Sequence, residues 1–134
     1  VYFVSGADGT AAGATIGTDA TYVKFTSMAG WPNATRTYED AVGIKNGDSS
    51  DREIVLSFDS WSGDTTYATI YVKVFNSGGT QQGSTLTVGT GGSTGTISIT
   101  AGATYRVQWE IKWSAGALSS YRVSVTLTLR VNNE

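Results

Sequence analysis

Between residues 105 and 113 the chain alternates strictly. Tyr105, Val107, Trp109, Ile111 and Trp113 are large and apolar, whereas Arg106, Gln108, Glu110 and Lys112 are polar or charged. Successive side chains of a strand point to opposite faces, so this spacing predicts a strand with one buried and one wet face. The pattern returns in Tyr121, Val123, Val125, Leu127, Leu129 and Val131, interleaved with Arg122, Ser124, Thr126, Thr128 and Arg130. Between the two runs, Ser114-Ala115-Gly116-Ala117 has turn chemistry, which predicts a hairpin or a corner of a sandwich. Shorter alternations stand at Ala68, Ile70, Val72 and Val74 and at Ile54, Leu56 and Phe58. Tyr38, Val42 and Ile44 predict a strand broken at Asp40. Tyr22 to Thr26, Thr85 to Val88, Gly95 to Thr100 and the N-terminal segment bring the set to about nine. Turns are expected at Asn46-Gly47-Asp48, Ser62-Gly63-Asp64, Asn76-Ser77-Gly78-Gly79 and Gly91-Gly92-Ser93, where Gly or Asn accepts a positive φ. Short strands at this spacing predict an all-β antiparallel sandwich, jelly-roll-like in preference to immunoglobulin-like.

Composition narrows the chemistry. The 134 residues contain no Cys and no His, so disulfides, thiolate metal sites and the commonest general base are absent. No Ser–His or Cys–His arrangement can form, and no GxSxG or phosphate-binding glycine loop is present. The expectation is a chain that is not an enzyme and holds no cofactor. Net charge is −2 with 15% charged residues, which provides no basic footprint for nucleic acid. No apolar run is long enough to span a membrane as a helix. The chain opens on Val1 rather than Met, which is read as a mature end left by signal-peptide cleavage. So little charge also leaves the strand edges of such a sandwich thinly protected, with lysines only at 24, 45, 73 and 112.

The leading segment departs from the alternation. Val1-Tyr2-Phe3-Val4 is apolar at every position, as expected of a strand covered on both faces. A polar stretch with two glycines, Ser5 to Thr10, follows, and then small residues up to Thr18. An ordinary first strand is one reading. The other is an arm, residues 1–18, that leaves its own sandwich (19–134) and completes the sheet of a neighbour. Repeated head to tail, such an exchange builds an open filament. Burying four such side chains contributes roughly 6–12 kcal/mol, while association costs about 4–15 kcal/mol. The arm is therefore expected to reach Ile16, with main-chain ladder bonds joining in.

Several segments together resemble the TasA-type biofilm fibre proteins and, more closely, the archaeal bundling pilins. They are Val1-Tyr2-Phe3-Val4, Ala41 to Gly47, Arg52 to Ser57, Ile99 to Tyr105 and the apolar last strand. The resemblance covers nearly the whole chain by pattern, without one identifying motif. It implies a secreted jelly-roll subunit polymerised by donation of its N-terminal strand, with Val1, Tyr2, Phe3, Val4 and Ile16 as contacts. It also implies copies of the same chain as partners and fibres that bundle to hold cells in a biofilm. Camelysin-like relatives carry a metallopeptidase label, which a chain without His does not inherit.

Other residues offer candidate chemistry. Glu39 and Asp40 are adjacent on a strand and so face opposite ways, unsuited to flanking one glycosidic bond. Asp48, Asp51 and Glu53 surround a Gly-containing loop but lack EF-hand spacing, so no metal is assigned. Trp109 and Trp113 fall in phase with a buried face. Trp31 and Trp61 are expected in loops, exposed as contacts with other subunits or as stacking platforms for sugar rings. Asn33-Ala34-Thr35 is a glycosylation sequon in an expected surface loop. The alternatives to a filament subunit are a carbohydrate-binding sandwich and a viral or phage structural domain.

Overall fold

The computed structural model describes residues 1–9, 13–17, 21–29, 33–89, 92–118 and 120–131, with side chains at all of these except 26–29. Its strands are β1 (Tyr2–Ser5), β2 (Ala14–Ile16), β3 (Tyr22–Ala29), β4 (Thr35–Lys45), β5 (Arg52–Gly63), β6 (Ala68–Phe75), β7 (Gln81–Thr87), β8 (Ile97–Ile99), β9 (Thr104–Trp113) and β10 (Arg122–Val131). They form two five-stranded sheets, ordered β1-β4-β9-β6-β7 and β2-β3-β10-β5-β8. All strand pairs run antiparallel. With β1 and β2 set aside, the two orders are the interleaved Greek keys of an eight-stranded jelly roll. The first two strands widen the sheets on one side, β1 beside β4 and β2 beside β3.

The alternation of the last two long strands is realised as burial. Tyr105, Val107, Trp109, Ile111 and Trp113 turn inward from β9, and Val123, Val125, Leu127 and Leu129 turn inward from β10. These strands lie in opposite sheets, so the segment between them is a sandwich corner rather than a hairpin. Across the core, the Trp109 ring of β9 stacks on Phe25 of β3 with centroids 4.0 Å apart. The expected break at Asp40 is a bulge: the register of β4 against β9 shifts between Tyr38 and Val42. The strand expected over 95–100 is only Ile97–Ile99, since Gly95 has a φ of +68°. In contrast, β3 and β7 run longer than their apolar residues suggest, because ladder bonds to β10 and β6 extend through polar positions.

Two buried polar residues tie the layers together. Thr94 links an inner strand of one sheet to the edge of the other. Its hydroxyl accepts from Leu56 N on β5 at 3.2 Å and its carbonyl accepts from Ser84 N on β7 at 2.8 Å. Asn46, at the end of β4, donates from Nδ2 to Ser50 O at 2.9 Å and to Ile99 O at 3.0 Å. Its Oδ1 accepts from Asp48 N at 3.0 Å. Buried amides need such complete pairing, since each unpaired group would cost about 1–3 kcal/mol. The indoles of Trp109 and Trp113 are different: their Nε1 atoms are buried without a hydrogen-bond partner.

Candidate functional site at the N-terminal edge

The first strand folds back onto its own chain. β1 pairs with β4 in the register Tyr2↔Lys45, Phe3↔Ile44, Val4↔Gly43 and Ser5↔Val42. In the single chain, residues 2–5 finish their own sheet. The physical reason is that β4 offers an unpaired edge and the chain's own start lies within reach of it. Coverage on both faces is corrected: Phe3 points into the core, with 2% exposure, and Val1 packs partly buried against it, while Tyr2 retains 38% exposure.

Two glycines account for the apolar outer face. An added Cβ at Gly43 would lie 2.7 Å from Val4 Cγ2, and one at Gly47 would lie 3.3 Å from Tyr2 Cε1. Val4 and Tyr2 thus lean onto bare backbone, a contact that sequence reading missed. A glycine within an apolar strand, Gly43, was the signal available for it. Gly43→Val is expected to lever β1 off β4 while leaving the inner core intact. Faster amide hydrogen exchange confined to residues 2–5 and 42–45 would show it; unchanged exchange there would refute the shelf.

Beyond β1 the chain clasps the bulge. Asp8 N donates to Asp40 O at 2.8 Å, and Asp40 N donates to Asp8 Oδ2 at 3.1 Å. Ala7 N donates to Asp40 Oδ2 at 3.2 Å. Gly6 passes so close to the Asp40 carbonyl that a Cβ there would overlap it. Asp40 is therefore an anchor for the N-terminal loop, whereas Glu39 faces the wet side and accepts from Gln108 Nε2 at 2.6 Å. Ile16 lies apart from β1: it pairs with Val23 on the second sheet. β1 and β2 thus fall in different sheets, and a cleft of about 100 Å³ lies between Ser5, Gly9, Ala14, Ile16 and Val42.

The remaining candidates are dispersed. Trp31 lies outside the described residues. Trp61 is on β5 rather than in a loop, half-buried, edge-on to Phe58 at 6.4 Å and against Gly89. It closes one end of the core and is not an open platform. Asn33 is exposed, with a φ of +53°, a conformation that Asn tolerates. Asp48 is engaged by Arg52 Nε at 3.0 Å and Asp51 by Ala101 N at 2.9 Å. Among the described residues no three His, Cys, Asp or Glu side chains gather as a metal site. No described helix is long and apolar enough to cross a membrane.

A second surface feature was not anticipated. Tyr67 and Tyr121 tilt together with centroids 4.8 Å apart beside exposed Leu118. Partial burial raises the Tyr121 phenol above its usual 10.0, and Tyr67 and the Asp64 carboxylate push the same way. Between the ordinary and the raised value the folded chain keeps a proton that the unfolded chain has lost. Stability from this group is therefore full below 10.0 and declines as pH rises past it. Tyr67→Phe is expected to bring Tyr121 down, seen as an earlier phenolate rise in ultraviolet absorbance titration.

No family model matches this chain, and no curated protein matches it. Among solved structures, the carbohydrate-binding module TmCBM61, in complex with beta-1,4-galactotriose, aligns over 93% of this chain and 77% of its own. The identity is 11% and the TM-score 0.38. A cycloisomaltooligosaccharide glucanotransferase from Paenibacillus sp., complexed with cycloisomaltoheptaose, aligns over 86% of this chain at 10% identity and a TM-score of 0.29. This chain spans only 16% of that enzyme's length.

Proposed function

We propose that this chain is a non-enzymatic structural subunit of an extracellular filament, in which each copy passes β1 to the β4 edge of the next. The observation that supports this reading is the mode of attachment of β1. It is an edge strand, inserted through a buried plug, Phe3, and followed by a glycine-containing connection. Every contact that β1 makes to β4 within one chain is available to the same strand from another copy. Exchange therefore changes few contacts, and its balance rests on association entropy against relief of the connection. Because the Asp8–Asp40 clasp docks on β4 as well, the transferred unit is residues 1–8. Lateral bundling of such fibres, with a role in biofilm cohesion, is part of the same reading.

The chain has no cysteine, so one engineered pair reports on one contact. Tyr2→Cys with Lys45→Cys places thiols at partner positions of the β1–β4 ladder. Oxidised under conditions of assembly, a strand passed between copies produces a ladder of covalent multimers on a non-reducing denaturing gel. If only monomers carry the bond at every concentration, the strand stays at home and the filament reading fails.

The second reading is a sugar-binding sandwich, favoured by exposed Tyr67 paired with half-buried Tyr121, since aromatic faces stack on sugar rings. Quenching of tyrosine fluorescence by soluble β-linked oligosaccharides, abolished by Tyr121→Ala, would support it over assembly.

A further inference from the structure

Asn46-Gly47 combines two features that pull against each other. An asparagine followed by glycine is the sequence most open to intramolecular attack on its own amide, because glycine carries no side chain to shield the backbone nitrogen. Yet Asn46 is fully buried, and its carboxamide is held by three hydrogen bonds, to Ser50 O, Ile99 O and Asp48 N. Its backbone N–H is also fixed, donating to Ala103 O at 2.9 Å. The side chain thus joins the end of β4 to the 46–51 loop and the end of β8, and the backbone N–H ties the residue to the approach to β9.

We infer that Asn46-Gly47 is a masked deamidation site, silent in the closed sandwich and reactive once this end opens. In the reaction, the Gly47 amide nitrogen loses its proton to solvent base and bonds to Asn46 Cγ. The side-chain nitrogen leaves as ammonia, closing a succinimide. One water then opens the ring, leaving an aspartyl or isoaspartyl acid. Closure prevents this because Cγ cannot turn toward the Gly47 nitrogen without breaking the bonds to Ser50 and Ile99, and because Asn46 itself is buried away from water.

The product cannot return to the same site. An ionised carboxylate only accepts hydrogen bonds, whereas the two positions filled by Nδ2 face carbonyl oxygens. Acid and carbonyls would meet unpaired in a buried place. Opening followed by deamidation therefore works as a ratchet that retires an opened subunit. Its effect falls on the loop that supports Tyr2 through Gly47, though the inference stands whether or not strands are exchanged.

Lys45 and Arg52 bound the site, so trypsin releases it as one short peptide whose acid form is resolved by mass spectrometry. The intact chain is incubated at mildly alkaline pH, folded and in urea. Conversion is expected to be at least roughly a hundredfold slower when folded, being confined to the opened fraction. Gly47→Ala, at a position of ordinary φ where the Cβ meets only the edge of the Tyr2 ring, is expected to slow conversion in urea about tenfold by restricting the backbone. Chain converted in urea is expected to regain less native near-ultraviolet circular dichroism on dilution than unconverted chain treated alike. Equal rates in both states, or full recovery of the converted chain, would overturn the inference.

Discussion

Replacing Trp109 with Ala is expected to destabilise the sandwich by about 3–5 kcal/mol, the range for truncating a buried aromatic. Trp109 has no measurable exposure and stacks on Phe25, so its loss opens a void where the two sheets meet. Domains of this kind are stable by roughly 5–15 kcal/mol, and a loss of that size brings the variant near the unfolding threshold. Trp109→Phe is the informative partner. It keeps an aromatic ring against Phe25 and removes an indole N–H that has no acceptor. An unpaired buried donor itself costs about 1–3 kcal/mol, so Phe is expected to recover most of the stability lost with Ala. Urea midpoints of the three proteins, at unchanged slope, measure both effects. Equal losses for Ala and Phe would mean that the indole contributes something beyond ring packing.

Deleting residues 1–8 is expected to make the sandwich self-associate without order. The deletion removes the Phe3 plug, about 1.5–3 kcal/mol of burial, together with the Asp8–Asp40 clasp. It also bares the backbone edge of β4 beside Val42 and Ile44. An uncovered edge with few charges templates pairing with any neighbouring strand. A synthetic peptide of residues 1–8 is expected to restore dispersion by refilling that edge, read by light scattering and thioflavin fluorescence. A deletion variant that stays monomeric, with its urea midpoint unchanged, would show that β1 is ornamental and would remove the basis for exchange.

The legible part of this fold lay in its regular strands. Residues 105–113 and 121–131 announce their inner faces because one side of each sheet is wet, so apolar and polar residues must alternate. The break at Asp40 was visible too, as a lapse in that alternation. Trp61 was misplaced because polar neighbours, Ser60 and Ser62, look like a loop when the strand end is exposed. At the N-terminus the opposite error arose. An unbroken apolar run suggested burial on both faces, but Tyr2 and Val4 rest on Gly47 and Gly43, which local pattern does not reveal.

By itself, the amino-acid order determined an all-β sandwich without thiol or imidazole chemistry, and it named the residues of the inner faces. Those conclusions follow from side-chain period and residue chemistry, which are local properties of a strand. Tertiary structure decided which edge the first strand occupies, that Ile16 belongs to the other sheet, and that Asn46 and Thr94 hold the layers together. Each of these depends on pairing between residues distant in the chain, where the energy resides in unpaired edges and buried polar groups rather than in periodicity.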